Sequence, residues 1–202
     1  MFKVLALDGG GIKGTYTAAV LDEIQKNLPE KRSLVEYFDL IVGTSTGGII
    51  SLGLGYKLST EDVLAIYKES GSEIFPHAND GPKGLIDWMF KTKHDPEGLR
   101  SNLANIFGNR TLDETSENLA VTSFDTSNAT PVVFRAGYGK GENRYGDNLK
   151  VVDVALATSA APTYFPAALA GDTFMIDGGV WANCPALVGP VSYTHLTLPT
   201  KA

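Results

Sequence analysis

Ser45 is the residue of this sequence best placed to act as a nucleophile, because glycines flank it at the junction of a predicted strand and a predicted helix. It lies in Gly43-Thr44-Ser45-Thr46-Gly47, which matches the pattern G-x-S-x-G (GXSXG), after an apolar run at 39–43 and before a predicted helix at 47–58. A nucleophile at such a junction stands on a tight turn, and glycines two residues away leave room for that turn. The first N–H groups of the helix favour negative charge at the serine oxygen. The alternative is that Ser45 only caps the helix.

A run of glycines follows the predicted strand at 2–7 and forms a second junction between a strand and a helix. It reads Asp8-Gly9-Gly10-Gly11-Ile12-Lys13-Gly14. Consecutive glycines let backbone N–H groups converge on a developing negative charge, so this loop can serve as an oxyanion hole, with Lys13 adding positive potential. A tight turn without a ligand is the simpler alternative, although three glycines in a row cost backbone entropy.

The same loop also matches the dinucleotide-binding pattern G-x-G-x-x-G (GXGXXG), through Gly9, Gly11 and Gly14. That pattern needs an acidic residue at the end of the next strand, where Gly43-Thr44-Ser45 stands instead. The loop is not a Walker A sequence, since neither Lys-Ser nor Lys-Thr follows its last glycine. A nucleotide-binding module stays open as a function of a different class, and saturable binding of a dinucleotide or a nucleoside triphosphate would indicate it.

Asp177 is the candidate base. A serine hydroxyl is a weak nucleophile until a base accepts its proton, and histidine is the usual base. The histidines of the sequence are His77, His94 and His195. His77 and His94 lie in a loop region and have no motif around them, and His195 lies in a C-terminal tail that does not fit the rest of the chain. Asp177 follows a predicted strand at 173–176 and precedes Gly178-Gly179, at the end of a strand where α/β sheets place their chemistry. A β-turn without a catalytic role is the alternative, because Asp-Gly is a common turn dipeptide.

The composition suits one globular domain. The chain has 202 residues, of which 43% are hydrophobic and 20% are charged. Its 17 Lys and Arg against 23 Asp and Glu give a formal net charge of −6 without a basic cluster, which argues against a nucleic-acid partner. The single cysteine, Cys184, excludes an internal disulfide. The longest mostly apolar window, 40–56, is short and rich in glycine. We therefore expect a cytoplasmic protein that can contact a membrane surface.

Hydrophobic periodicity predicts strands that alternate with helices. Apolar residues at 16, 20, 24 and 28 predict an amphipathic helix over 15–28, and a cap cluster at 59–62 predicts the start of another. The other predicted elements are helices at 99–107 and 151–161 and strands at 119–124, 131–136 and 173–176. This alternation predicts an α/β fold, namely a three-layer α/β/α sandwich around a mostly parallel sheet.

Residues 76–98 are predicted to form a long loop or a cap over the site. The run Trp88-Met89-Phe90 lies in this segment, beside Lys91 and Lys93. Aromatic residues and lysines favour the boundary of a bilayer, so we expect this segment to cap the site or to contact a membrane. The alternative is that the aromatic residues fill the core beneath a surface loop.

The last twelve residues, VSYTHLTLPTKA at 191–202, do not fit the rest of the chain. They resemble translated library-adapter sequence, and we recognise no amphipathic helix after Pro185. We therefore expect a domain over 1–190 that is truncated at its C-terminus, followed by a non-native tail at 191–202 that contains His195. An edge strand is the alternative for this tail.

Four segments, in this order, resemble the patatin-like phospholipase family. They are DGGGIKG at 8–14, GTSTGG at 43–48, ATSAAPTYFPA at 157–167 and DGG at 177–179. The likeness runs from about residue 2 to 187, and it implies the patatin-like version of the three-layer fold. It further implies that Ser45 is the nucleophile and Asp177 the proton acceptor of a Ser-Asp dyad. By the same resemblance, an oxyanion hole forms at the N–H groups of Gly9, Gly10 and Gly11. The residues that support these motifs are Lys13, Gly14, Gly43, Gly47, Gly178 and Gly179.

The resemblance implies hydrolysis of the acyl esters of phospholipids, of phospholipase A or lysophospholipase type, through an acyl-Ser45 intermediate. It implies an acyl-lipid substrate and no metal or organic cofactor, and it leaves the oligomeric state open. DGGGIKG and ESGSEIF at 69–75 are also similar to bacterial patatin-like effectors of nucleotide-signalled phage defence, in which membrane phospholipid is the substrate and a separate C-terminal part regulates activity. A lipid-binding pseudoenzyme is a further alternative.

One stretch departs from the family pattern. Family members commonly have Asn-Pro shortly after the Asp-Gly motif, whereas this sequence has Asn183-Cys184-Pro185. We interpret Cys184 as a small buried residue rather than as a reactive thiol.

Overall fold

Six strands form one mixed sheet in the computed structural model, which describes residues 2–28, 33–69, 96–137, 146 and 148–197. The strands are β1 (Val4–Leu7), β2 (Leu40–Thr44), β3 (Leu119–Asp125), β4 (Thr130–Ala136), β5 (Ala168–Ala170) and β6 (Thr173–Asp177). Strands β1, β2 and β3 are parallel neighbours, β4 and β6 are antiparallel to β3, and β5 is antiparallel to β6. Four of the six strands, β1, β2, β3 and β5, therefore run in one direction. The predicted α/β fold is confirmed.

Strands β2 and β6 share one edge of β3 and run toward each other along it. Thr44, the last residue of β2, pairs with Thr122, and Asp177, the last residue of β6, pairs with Ser123. The other edge of β3 is occupied by β4 over its whole length. Because residues 122 and 123 are adjacent, the carboxyl ends of β2 and β6 meet at one point of the sheet.

Helices cover both faces of this sheet. They are α1 (Gly14–Asn27), α2 (Leu34–Tyr37), α3 (Thr46–Gly55), α4 (Thr60–Glu69), α5 (Pro96–Phe107), α6 (Val151–Ser159), α7 (Gly179–Ala182) and α8 (Val188–Thr197). Short 3-10 turns lie at Gly11–Lys13, Leu112–Glu114 and Pro185–Leu187. Alternate residues of β2 enter different apolar clusters: Ile41 packs with α1 and α3 to α6, whereas Leu40 and Val42 pack on the face that contacts Val188. This alternation is the period-2 pattern of a strand buried on both faces, and the three-layer prediction is confirmed.

Helix α1 forms where periodicity predicts it, but the apolar stripe that predicted it is not its buried face. Tyr16, Val20 and Ile24 are 75%, 38% and 43% exposed. The buried residues of α1 are Gly14, Ala18, Leu21 and Asp22. A Cβ at Gly14 would lie 3.0 Å from the Cβ of Thr46 and 3.1 Å from the ring of Tyr67. The start of α1 therefore lies so close to α3 and α4 that only small residues fit there.

The C-terminal part of the described chain is helical. Helix α8 continues through residues 191–197, so the edge-strand alternative is wrong for them. Gly189 lies against β1, since a Cβ there would be 2.7 Å from a methyl group of Val4. Cys184 is exposed, which corrects its interpretation as a buried residue; its neighbours Ala182 and Pro185 are buried instead.

Some predictions fall on residues that the structure does not describe. They concern His77, His94 and the run Trp88-Met89-Phe90 with its lysines, which lie outside the described residues, and the side chain of His195. Within the described ranges, none of the helices combines the length and the apolar character that crossing a bilayer would require.

Candidate active site

The structure brings Ser45 and Asp177 into direct contact. The hydroxyl of Ser45 donates a hydrogen bond of 2.6 Å to Oδ2 of Asp177. Both residues are buried, with 8% and 6% of their surface exposed. The contact follows from the sheet, because Ser45 comes directly after β2 and Asp177 ends β6 where the two strands meet. Two residues 132 positions apart in the sequence are thus brought together as a hydroxyl and a carboxylate in hydrogen-bond contact.

Ser45 stands on a strained turn between β2 and α3. Its φ is 57°, a value that residues with a side chain rarely adopt. A Cβ at Gly43 would overlap the carbonyl group of Gly47, and a Cβ at Gly47 would overlap the carbonyl group of Leu7. The glycines of the G-x-S-x-G pattern are therefore required by the close approach of β1, β2 and α3.

Ser45 occupies the N-cap position of α3 without acting as its cap. Its side chain makes no hydrogen bond to the first turn of the helix. An N-cap serine stabilises a helix by accepting such a bond. The Ser45 hydroxyl is instead directed at Asp177, so the geometry disfavours the interpretation of Ser45 as a simple cap.

Both oxygens of the Asp177 carboxylate accept hydrogen bonds. Oδ1 accepts the N–H of Gly179 at 2.7 Å, while Oδ2 accepts the hydroxyl of Ser45. Burial raises the pKa of Asp177 above its ordinary value, and the hydrogen bonds from Ser45 and Gly179 act in the opposite direction. A carboxylate whose pKa is raised is a stronger proton acceptor. Gly178 is needed for packing, because a Cβ there would overlap Thr122.

The glycine loop lies beside Ser45, and the structure narrows the predicted set of oxyanion donors. The N–H of Gly9 donates to the carbonyl oxygen of Asn183 at 2.9 Å, so this predicted donor is already engaged. The N–H of Gly10 makes a longer bond of 3.2 Å to the hydroxyl oxygen of Thr46. Gly11 has a positive φ of 55°, and its N–H finds no acceptor in the described ranges of the chain. Of the three predicted donors, Gly11 thus has an N–H that is free in the described part of the chain, whereas Gly10 must give up its longer bond to Thr46 before it can donate to a ligand.

Lys13 and Gly14 lie farther from the chemistry. The side chain of Lys13 is exposed and does not line the cavity beside Ser45. Gly14 serves the packing of α1, as described above. The nucleotide-binding alternative is disfavoured as well, since β2 ends at Thr44 and is followed by Ser45, with no acidic residue there to bind a ribose.

A cavity of about 650 Å³ is lined by both Ser45 and Asp177. The glycines at 9–11 line the same cavity. Most of its surface is apolar, and its apolar side chains include Ile49, Ile66, Leu99, Leu103, Ile106 and Phe165. The hydroxyl of the buried Tyr67 donates to the carbonyl oxygen of Thr46 at 3.0 Å, so the polar end of this ring is satisfied within the wall. Such a cavity suits a ligand with a reactive polar head and a hydrocarbon chain.

Two residues of the site were not identified from the sequence. Asn183 holds the glycine loop through its carbonyl oxygen and through its side-chain amide, which donates to the carbonyl oxygen of Gly9 at 3.3 Å. Thr158 accepts the N–H of Ser45 at 2.9 Å. Both lie in stretches that the family resemblance singles out, at 183–185 and 157–167, and this was the signal available for finding them.

Comparison with known proteins places this site in a family. The chain is 37% identical to a cGAMP-activated phospholipase of Pseudomonas aeruginosa, over 93% of this chain and 55% of the relative. It is 33% identical to Patatin-like protein 4 of Arabidopsis thaliana, over 96% of this chain and 53% of the relative. A cGAMP-activated phospholipase of Vibrio cholerae is 31% identical, over 93% and 56%. The chain thus spans about half the length of the curated relatives it matches.

The fold has a counterpart among solved structures. The crystal structure of VipD from Legionella pneumophila matches with a TM-score of 0.53 at 13% identity, over 89% of this chain and 46% of that chain. The family model of patatin-like phospholipases matches residues 5–189, which include Ser45, Asp177 and the glycine loop. The chain therefore belongs to the patatin-like phospholipase family.

Proposed function

We propose that this chain is a serine hydrolase that cleaves acyl esters of lipids, with Ser45 as nucleophile and Asp177 as base. The observation that carries the proposal is the hydrogen bond of 2.6 Å between the Ser45 hydroxyl and Asp177, two residues that line a mostly apolar cavity. Family membership supports the same reaction class. The geometry supports a dyad without histidine, because the base position is occupied by the carboxylate itself.

Acylation uses the contacts of the site in sequence. Asp177 accepts the hydroxyl proton as Oγ of Ser45 attacks the carbonyl carbon of the ester. The carbonyl oxygen becomes an oxyanion, which the N–H groups of Gly10 and Gly11 stabilise. The intermediate then collapses, the bond to the leaving alcohol breaks, and Asp177 returns its proton to that alcohol. The products are acyl-Ser45 and the free alcohol.

Deacylation repeats these steps with water. Asp177 accepts a proton from a water molecule that attacks the acyl carbonyl carbon, and the same N–H groups stabilise the second oxyanion. Ser45 leaves with the proton from Asp177, and the fatty acid is released. The desolvated environment that raises the pKa of Asp177 supports its role as proton acceptor in both halves.

The cavity supports phospholipid as the substrate class. Its apolar wall can bury an acyl chain, while the headgroup stays outside. Three residues at its mouth, Ile12, Tyr164 and Val180, are between 37% and 49% exposed. We propose that these residues contact the bilayer from which the substrate is drawn, because apolar and aromatic side chains favour the membrane boundary.

Fatty-acid release from phospholipid vesicles tests the function. The wild type, Ser45→Ala and Asp177→Asn are compared, and circular dichroism verifies that all three fold. Because two bacterial relatives are named as cGAMP-activated, each assay is run with and without cGAMP. We expect release by the wild type and a loss of roughly 10³-fold or more in both variants. Release by Ser45→Ala at the wild-type rate contradicts the proposal, and a folded wild type inactive under both conditions favours a lipid-binding pseudoenzyme.

A pair of double variants tests the proposed contact between the mouth of the cavity and the bilayer. Ile12→Asp with Val180→Asp is expected to reduce hydrolysis of vesicles and to spare hydrolysis of a soluble ester. The matched control is Leu169→Asp with Phe174→Asp, which places the same charges on exposed apolar residues of β5 and β6 outside the cavity. Equal losses in the two double variants would contradict a specific contact at the mouth.

A further inference from the structure

The C-terminal end of α6 hydrogen-bonds the backbone of both dyad residues. Oγ1 of Thr158 accepts the N–H of Ser45 at 2.9 Å, and the carbonyl oxygen of Ala160 accepts the N–H of Asp177 at 3.0 Å. We propose that Thr158 is a positioning residue that fixes Ser45 relative to Asp177; this inference rests on the proposed function. Residues 158–160 then set the spacing of the proposed nucleophile and base through these two hydrogen bonds.

Thr158 satisfies a donor that the fold leaves without a regular partner. Ser45 lies between β2 and α3, outside the register of the sheet. Ser45 is buried, and a buried N–H without an acceptor is destabilising. Thr158 is itself fully buried. Its hydroxyl oxygen therefore stabilises the one backbone conformation, with φ at 57°, that directs the Ser45 hydroxyl at Asp177.

The acceptors of these two hydrogen bonds lie close together in the chain. Only Ser159 separates Thr158 from Ala160, so a shift of Ser45 away from Asp177 must lengthen one of the two hydrogen bonds. The hydroxyl of Ser123 adds a cross-connection, because it lies 3.1 Å from the carbonyl oxygen of Ala157 and 2.8 Å from that of Ile176. The end of α6, strand β3 and strand β6 are thereby held together beside the dyad.

A packing role for Thr158 makes a different prediction from a positioning role. Thr158 also fills space beside α3, since a Cβ at Gly48 would lie 2.8 Å from its Oγ1 and 2.9 Å from its methyl carbon. Thr158→Val preserves the volume and removes the acceptor. Thr158→Ser preserves the acceptor and removes the methyl group. If Thr158 acts only through packing, Thr158→Val should reduce activity less than Thr158→Ser. If Thr158 positions Ser45, Thr158→Ser should reduce activity less.

The experiment measures the rate at which a fluorophosphonate probe labels the serine nucleophile, below the unfolding temperature of every variant. Steady-state hydrolysis of p-nitrophenyl butyrate gives kcat and KM in parallel. We expect Thr158→Val to lower the labelling rate and kcat by about 10- to 100-fold with KM changed by less than about twofold, since a small misplacement of a reacting atom has effects of this size. Thr158→Ser is expected to stay within about threefold of the wild type.

Thr115→Val is the matched control for the loss of a buried threonine hydroxyl. The Thr115 hydroxyl donates to the carbonyl oxygen of Gly55 at 2.7 Å and accepts the N–H of Glu117 at 3.1 Å, so it serves the opposite end of α3 from Ser45. We expect this variant to lower Tm and to leave the labelling rate unchanged. Should Thr158→Val not fold, Thr158→Cys, whose sulfur is a weak acceptor, carries the same expectation of slowed labelling.

The outcomes separate the two proposals. A folded wild type that neither labels nor hydrolyses the ester, with or without cGAMP, contradicts the proposed function, and the positioning role with it. A reactive wild type with Thr158→Val at the wild-type rate contradicts the positioning role alone. Equal losses in Thr158→Val and Thr158→Ser, or in Thr158→Val and Thr115→Val, also overturn it.

Discussion

The two glycine-rich turns of this protein, 43–48 and 8–14, look alike in sequence but use their glycines differently. Each turn joins a strand to a helix and borders the same cavity. In the first, a Cβ at Gly43 or Gly47 would overlap neighbouring backbone. In the second, Gly9 and Gly14 are closely packed as well, but the nearest atom to a Cβ at Gly10 would be the Cβ of Lys13, at an ordinary contact distance of 3.5 Å.

Gly43 and Gly47 are thus required by packing, whereas the missing side chain at Gly10 leaves open space. The first turn is closely packed against neighbouring backbone at Gly43 and Gly47, and this packing holds Ser45 at its unusual φ. The second turn is held at Gly9 by Asn183, and it leaves Gly10 and Gly11 facing the cavity. The first turn therefore fixes the conformation of Ser45, and the second leaves space beside Gly10 and Gly11 in the cavity.

Gly47→Ala is expected to have the largest effect on stability. The added methyl group would overlap the carbonyl group of Leu7, and backbone cannot move aside as a flexible side chain can. We expect a loss of roughly 3 kcal/mol or more in the free energy of unfolding, or no folded protein. Urea unfolding followed by circular dichroism measures it. A variant as stable as the wild type would show that the first turn is looser than its contacts indicate.

The pH dependence of the reaction tests the electrostatics at the end of the first turn. Asp177 must be ionised to accept a proton, and burial raises its pKa. Lowering the pH therefore protonates Asp177 at a higher pH than an ordinary aspartate, and below that point kcat/KM should fall by roughly tenfold per pH unit. A pH profile on a soluble ester gives the measurement. Full activity down to the range of an exposed aspartate would contradict the role of Asp177 as a buried base.

Gly10→Ala should have a smaller effect on the stability of the fold than Gly47→Ala, and a measurable effect on the reaction. The methyl group meets no atom closer than 3.5 Å, so we expect the free energy of unfolding to change by less than about 1 kcal/mol. It stands at the cavity, where it narrows the approach to the oxyanion donors, and we expect kcat to fall by about tenfold or less. Loss of folding in this variant would remove the distinction between the two turns.

The sequence was sufficient to predict the parts of the site that depend on local pattern. Ser45 and Asp177 were identified because each follows or ends an apolar strand and is flanked by glycine, and such signals are contained within a few residues. Helix α6 and the hairpin of β3 and β4 were also predicted close to their observed bounds. The roles assigned to the dyad stay predictions until they are tested.

Long-range contacts account for what the sequence did not predict. Thr158 and Asn183 contact Ser45 and Gly9 across 113 and 174 residues, and no local pattern encodes such a pairing. The buried face of α1 was also not predicted, because close packing requires small residues, Gly14 and Ala18, at positions where the periodic pattern looks for large apolar ones. Helix α2 did carry a local signal, the capping box of Ser33 and Glu36, which we did not use.

Locating the covalent adduct is the most direct test of the central claim, that Ser45 is a nucleophile activated by Asp177. The wild type and Asp177→Asn are incubated with a fluorophosphonate, digested, and analysed by peptide mass spectrometry. The account predicts an adduct on Ser45 in the wild type that forms far more slowly in Asp177→Asn. Ester hydrolysis by a protein whose adduct lies on another residue, or that forms none, would contradict it.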